Sequence, residues 1–143
     1  MFIYGKTAAN AISVISYLAD NPKRRSGSGE IAEARGISRA LTAKLLTQLA
    51  SAGLVLGQPG PGGGYTLGKP ANDICLLDII SLFEQTSNNT NCPFGESWCG
   101  VGDPCPLHDT ISGMIESNKE FIEKTTLAVF QGWSAKSVSE KSA

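Results

Sequence analysis

Several signals that mark other classes of protein are missing from this chain. No apolar run approaches the roughly eighteen residues a membrane helix needs, so no membrane contact is expected. The opening Met1-Phe2-Ile3-Tyr4-Gly5-Lys6 has one basic residue and no small-residue cleavage site behind an apolar block. It does not read as a signal peptide, and a cytoplasmic location is expected. There is no GxSxG and no HExxH, and Gly60–Gly64 lacks the Lys-Ser/Thr that completes a phosphate-binding Walker loop. His108 is the only histidine, which leaves little for general acid–base chemistry, and no enzymatic activity is expected. No internal repeat is visible. Between Ala34 and Ala71 there is no acidic residue at all, while Arg35, Arg39, Lys44 and Lys69 fall in that window.

What is present fits one compact domain, or one domain with an appended helix. The 143 residues are 41% hydrophobic, enough for a real core. A formal net charge of −1 speaks weakly against a nucleic-acid partner, but phosphate contact needs a local basic patch rather than a basic total. The acid-free window is such a patch.

The periodicity predicts a mainly α fold with a small β hairpin. Ala11, Ile12, Val14, Ile15 and Leu18 give residues 7–20 a helical apolar face, ended by Asn21-Pro22. A polar Lys23–Gly29 loop follows. Ser28 is expected to cap a short helix with Ile31 inward, and Gly36 to end it with a positive φ. Ser38 is expected to cap a second helix, to about Ser51, with Leu41, Leu45, Leu46 and Leu49 inward. Two short helices across a tight glycine turn form a helix-turn-helix. Leu54-Val55-Leu56 and Tyr65-Thr66-Leu67 read as strands joined by a Gly/Pro-rich loop, a wing. A helix over 73–85 follows, with Cys75 a buried core thiol. Ile111, Met114, Ile115, Asn118, Phe121, Ile122, Thr125 and Val129 then mark a helix from Leu107 to about Gln131. Its stripe is longer than a small domain can cover, which points to a partner chain.

Two constellations carry chemistry. The early exposed positions of the second helix, Ser38, Arg39, Thr42 and Ala43, are placed to meet base edges in a major groove, with Lys44 in reach of phosphate. The other is Cys92-x6-Cys99-x5-Cys105-x2-His108. Thiolates are the usual ligands of iron–sulfur clusters and a histidine can replace one. Zinc accepts the same donor set, although close C-x2–4-C pairs are absent. Redox-active thiols without any metal are the further reading.

In this order the residues resemble the iron–sulfur winged-helix transcriptional regulators typified by IscR and NsrR. The resemblance covers about residues 1–130. It rests on Ile31-Ala32-Glu33…Gly36-Ile37-Ser38, Leu45-Leu46-x-x-Leu49-x-x-Ala52-Gly53-Leu54-Val55, Gly60-Pro61-Gly62-Gly63-Gly64-Tyr65-x-Leu67, Leu76-Leu77-Asp78-Ile79-Ile80 and, most specifically, Pro104-Cys105-Pro106-Leu107-His108-Asp109. It implies a winged helix-turn-helix domain over 1–72, a cluster-binding loop and dimerisation helix over 73–131, and a disordered tail over 132–143. It further implies a homodimer on a palindromic operator in double-stranded DNA, with affinity controlled by a cluster on Cys92, Cys99, Cys105 and His108. The Cys3His set resembles members with a [2Fe–2S] cluster. Lys6-Thr7-Ala8-Ala9-Asn10 lacks the acid that serves as ligand in other members, which favours His108. DNA contacts are implied at Ser28, Ser38, Arg39, Thr42, Lys44, Gln58, Gly60, Gly62, Gly63 and Tyr65. The chain departs from the pattern in a six-residue gap between Cys92 and Cys99 where five is usual, and in Pro59 where the wing usually has an arginine. Wing contacts are therefore expected from Gln58 and backbone amides. A cluster-free regulator switching through the same thiols is the alternative.

Overall fold

The computed structural model describes residues 4–84 and 105–134. Its first helix, α1 (Lys6–Asp20), is the hub. Ala8, Ala11, Val14, Ile15, Leu18 and Ala19 are all essentially inaccessible to solvent, and the alanines let neighbours approach the helix closely. Helices α2 (Ser28–Arg35), α3 (Arg39–Ser51) and α4 (Leu76–Ile80), the strand β2 (Gly64–Leu67) and a 3₁₀ turn at Leu127–Phe130 all pack on it.

The helix-turn-helix forms for the expected reasons, with one change. Gly36 sits at φ +67, a conformation that costs a residue with a Cβ about 1–2 kcal/mol. This lets the Ile37 N–H donate back to the Ala32 carbonyl at 3.0 Å. Ser38 caps α3, its Oγ accepting from the Leu41 N–H at 3.2 Å. Ser28 does not cap α2. It is the first helical residue, and the cap position is Gly27, which has no side chain to offer. Strand β1 (Val55–Gln58) pairs antiparallel with β2, Val55 opposite Leu67 and Gln58 opposite Gly64. This is the two-stranded wing.

The second half departs further. The helix expected over 73–85 is instead a 3₁₀ turn at Ala71–Asp73, an extended Ile74-Cys75 and the short α4. The helix expected to reach Gln131 is α5 (His108–Lys124), followed by an extended Thr125-Thr126. One tertiary pairing explains both. The Leu76 N–H donates to the Thr125 carbonyl and the Leu127 N–H to the Ile74 carbonyl, each at 2.9 Å. Those groups cannot also serve helices. Cys75 is correspondingly the cap residue of α4, half-buried rather than a core thiol, with its N–H donating to Asp78 Oδ2 at 3.0 Å.

Ile74, Leu76, Ile79, Ile80, Ile122 and Leu127 share one core with α1 and α3, so the boundary drawn at 72/73 does not divide the hydrophobic interior. Residues 132–134, expected to begin a frayed tail, are pinned to α1. The Gly132 N–H donates to the Asp20 carbonyl at 3.0 Å, and the Ser134 N–H and hydroxyl donate to the Asp20 carboxylate. Residues 135–143 lie outside the described residues. Leu127 is fully buried in this closure. Leu127→Ala is expected to cost roughly 2–5 kcal/mol, read by urea unfolding at fixed protein concentration; a loss well under about 1 kcal/mol would show that the 3₁₀ turn contributes little.

A polar cluster fastens the loop between α1 and α2. The Tyr17 hydroxyl donates to Glu30 Oε2 at 2.7 Å, and Arg24 grips both Glu30 oxygens at 2.7 and 3.0 Å. The Tyr17 hydroxyl, helped by Ser26 and Arg24, holds the Glu30 carboxyl below its ordinary range against an opposing push from partial burial. A carboxyl depressed in the folded state adds stability above its ordinary pKa near 4.5, and this is lost as pH falls through the folded value. The destabilisation caused by Glu30→Gln should therefore shrink in thermal melts below pH 4.5. A difference constant through the acid range would contradict that coupling.

Candidate nucleic-acid interface and metal-ligand segment

At the start of α3, Ser38, Arg39, Ala43 and Lys44 are exposed. The Arg39 side chain runs toward the start of α2, and a Cβ built on Gly29 would lie 3.5 Å from its Cζ. The chain thus presents a capped helix start and two cations on one short stretch. Thr42 is not part of this surface. It is completely buried, and its hydroxyl donates to the Ser38 carbonyl at 2.9 Å. Contrary to expectation, Thr42 offers no contact to a ligand. The spacing already held the reason, because 42, 45, 46 and 49 follow the i, i+3, i+4, i+7 rule of a buried stripe.

Gln58, Gly60 and Gly62 are exposed along the wing, whereas Gly63 and Tyr65 are half-buried. Two of the expected amide donors are already engaged: the Gly63 N–H with the Gly60 carbonyl at 2.9 Å, and the Tyr65 N–H with the Ser26 carbonyl at 2.8 Å. These two amides are therefore not open to a ligand. The second of these bonds belongs to a feature that the local sequence did not announce. Ser26, in the loop after α1, pairs antiparallel with Tyr65, its own N–H donating to the Tyr65 carbonyl at 3.1 Å. The loop is thereby tied by one isolated bridge to the edge of the two-stranded wing. Gly64 permits the approach: it sits at φ +134, and a Cβ there would meet the Ser26 backbone at 3.0 Å.

Not every cation of the basic window is available. Arg35 stacks over Tyr17 at 5.3 Å and Trp133 at 5.5 Å from the ring centroids. It also donates to the Ser13 carbonyl at 2.9 Å and to Ser16 Oγ at 3.2 Å. It joins α1, α2 and the C-terminal segment rather than facing a ligand. Lys69 is exposed.

Of the four candidate metal ligands, Cys105 and His108 are described; Cys92 and Cys99 lie outside the described residues. Cys105 and His108 bracket the turn that opens α5, closed by the His108 N–H donating to the Cys105 carbonyl at 3.0 Å. Both are half-buried, and Cys105 forms no disulfide. A thiol and an imidazole held one turn apart at the root of a helix suit the donor chemistry of a cluster or of zinc. Among the described residues no group of three His, Cys, Asp or Glu gathers into a metal site, so any such site draws on the segment 85–104.

Known proteins agree with this geometry. The chain is 36% identical over 98 residues to the HTH-type transcriptional regulator IscR of Pectobacterium carotovorum subsp. carotovorum (strain PC1), which is 68% of this chain and 59% of that protein. It therefore spans well under two thirds of that relative's length. Among solved structures, CymR, the global cysteine regulator of B. subtilis, superposes with a TM-score of 0.74 at 24% identity, covering 92% of this chain and 99% of that one. T. potens IscR superposes with a TM-score of 0.66 at 24% identity, covering 87% and 82% respectively. These two likenesses establish the winged-helix fold. Residues 4–131 match the family model described as "Rrf2: Iron-dependent Transcriptional regulator", and the chain belongs to the Rrf2 family of transcriptional regulators.

Proposed function

We propose that this chain is a cytoplasmic, homodimeric DNA-binding regulator whose operator affinity is governed by an iron–sulfur cluster, a [2Fe–2S] centre on Cys92, Cys99, Cys105 and His108. The observation that carries the DNA-binding part is the capped start of α3, with Ser38, Arg39 and Lys44 exposed beside a wing. A helix so presented fits a major groove, and a two-fold dimer of such units reads a palindrome in double-stranded DNA. Contacts to the flanking backbone are assigned in this reading to the half-buried Ser28 and to the exposed Gln58, Gly60 and Gly62. Gly63 and Tyr65 contribute by shaping the wing. Arg39→Ala is expected to weaken binding to a duplex selected from a random library by about 1–3 kcal/mol. Unchanged affinity would remove Arg39 from the interface.

Support for the dimer comes from α5. Met114 and Phe121 remain 47% and 42% exposed on its apolar stripe. Between them Asn118 has its Oδ1 shielded from solvent with no hydrogen-bond donor among the described residues. A buried amide oxygen left unpaired costs about 1–3 kcal/mol, and a donor from a second chain would remove that cost. Met114→Glu places a charge in this stripe and should weaken the dimer roughly a hundredfold. Sedimentation equilibrium reads this, and an unchanged dimer would place the interface elsewhere.

A bound cluster would supply a centre sensitive to redox state and nitric oxide. The protein's part is to anchor it at the root of α5 through Cys105 and His108, so that a change in ligation alters how α5 is held. Since α5 carries the proposed dimer stripe, the separation of the two α3 helices would follow, as a shift between two populations. Protein purified without oxygen is expected to contain iron and sulfide and to absorb in the visible, and His108→Ala to change that spectrum. Material with neither iron nor sulfide and with all three thiols intact would sink the cluster reading. The second reading is a cluster-free thiol switch through the same cysteines, favoured by the superposition on CymR, a global cysteine regulator. A reversible disulfide that tracks DNA affinity in iron-free protein would select it.

A further inference from the structure

Lys, Arg and His are all absent from the wing itself, Val55 to Leu67. A hairpin without cations is a poor partner for a polyanion. The structure supplies a cation from elsewhere. Because Ser26 is bridged to Tyr65, the residue before it is delivered to the wing tip, where Arg25 donates to the Gly62 carbonyl at 3.4 Å. We infer that Arg25 is the phosphate contact of the wing, a side chain lent by the loop after α1, for the sugar–phosphate backbone of duplex DNA.

Four observations converge on this residue. Arg25 is exposed and, among the described residues, pairs with no carboxylate. Its neighbour Arg24 is spent on Glu30 and Tyr17, so the two adjacent arginines have different jobs. The single long bond to Gly62 steers the guanidinium but leaves most of its five N–H donors open. The support beneath it is firm: Ser26 is 4% exposed and is held by two backbone bonds. A charged group on a fixed mount loses less freedom on binding than one on a free loop.

This inference rests on the DNA-binding reading, and one experiment separates their failures. The 143-residue chain selects duplexes from a random-sequence library, and affinity for a selected duplex is measured across a range of KCl concentrations. Arg25→Ala, Arg25→Gln, Arg25→Lys and the distant Lys124→Ala are compared with the parent. Each phosphate contact contributes about 0.9 to the slope of log K against log[salt]. Arg25→Ala and Arg25→Gln should each flatten the slope by about one such increment and weaken binding roughly tenfold near physiological salt. Arg25→Lys should retain the slope, and Lys124→Ala should match the parent. Glutamine keeps an N–H donor for the Gly62 carbonyl while removing the charge, so it also guards against a collapsed wing in the alanine variant. Reduced affinity with an unchanged slope would reassign Arg25 to holding the wing and overturn the inference. Parental affinity and slope in the glutamine variant would overturn it equally. If the parent selects no duplex, the DNA-binding reading and this inference fall together.

Discussion

The fold depends on covering α1 from every side. A helix with Ala8, Ala11, Val14, Ile15, Leu18 and Ala19 all inaccessible has no solvent face of ordinary width, so it cannot be satisfied by the helix-turn-helix alone. The C-terminal turn at Leu127–Phe130 closes the remaining side, and Asp20 fastens it there through Gly132 and Ser134. Arg35 extends the same closure: one guanidinium lies against Tyr17 of α1 and Trp133 of the C-terminal segment. The helix-turn-helix and the segment that follows α5 are thus parts of one packed body.

The surface chemistry follows from how the cations are apportioned. Arg24 and Arg35 are consumed by internal contacts, while Arg25, Arg39, Lys44 and Lys69 stay exposed. A count of basic residues in the chain says little about the partner. Which of them the fold leaves unpaired says much more. The net charge of −1 is compatible with a basic face for that reason, since no acid lies between Ala34 and Ala71 and Glu30 is occupied by Arg24.

Local rules made the first half legible. The Gly36 turn, the Ser38 cap, the closure after Ser51 and the order helix, helix, hairpin are all consequences of chemistry within a few residues, and the family resemblance reinforced them. Thr42 lies near the start of α3, as an exposed reading position would, but on its buried stripe. The second half was less legible because its decisive bonds are long-range. Ile74 and Cys75 sit in an apolar pattern that reads as helix, and only their pairing with Thr125–Leu127 makes them extended. The same holds for the bridge between Ser26 and Tyr65, which no periodicity foreshadows. For the candidate site, α3 and half of the ligand set could be read and located. Cys92 and Cys99 could be read, but they lie outside the described residues.

The pairing of Ile74 with Leu127 also orders events during synthesis. A chain emerging from the ribosome acquires α1 first and the wing next, but α1 keeps one side bare until more than a hundred further residues have followed. Contacts so distant along the chain close slowly, and in that interval the nascent regulator exposes the apolar side of α1 and the edge of Ile74, surfaces on which unfinished chains associate. Cys92, Cys99, Cys105 and His108 all fall in the stretch of sequence between the two partners of this closure.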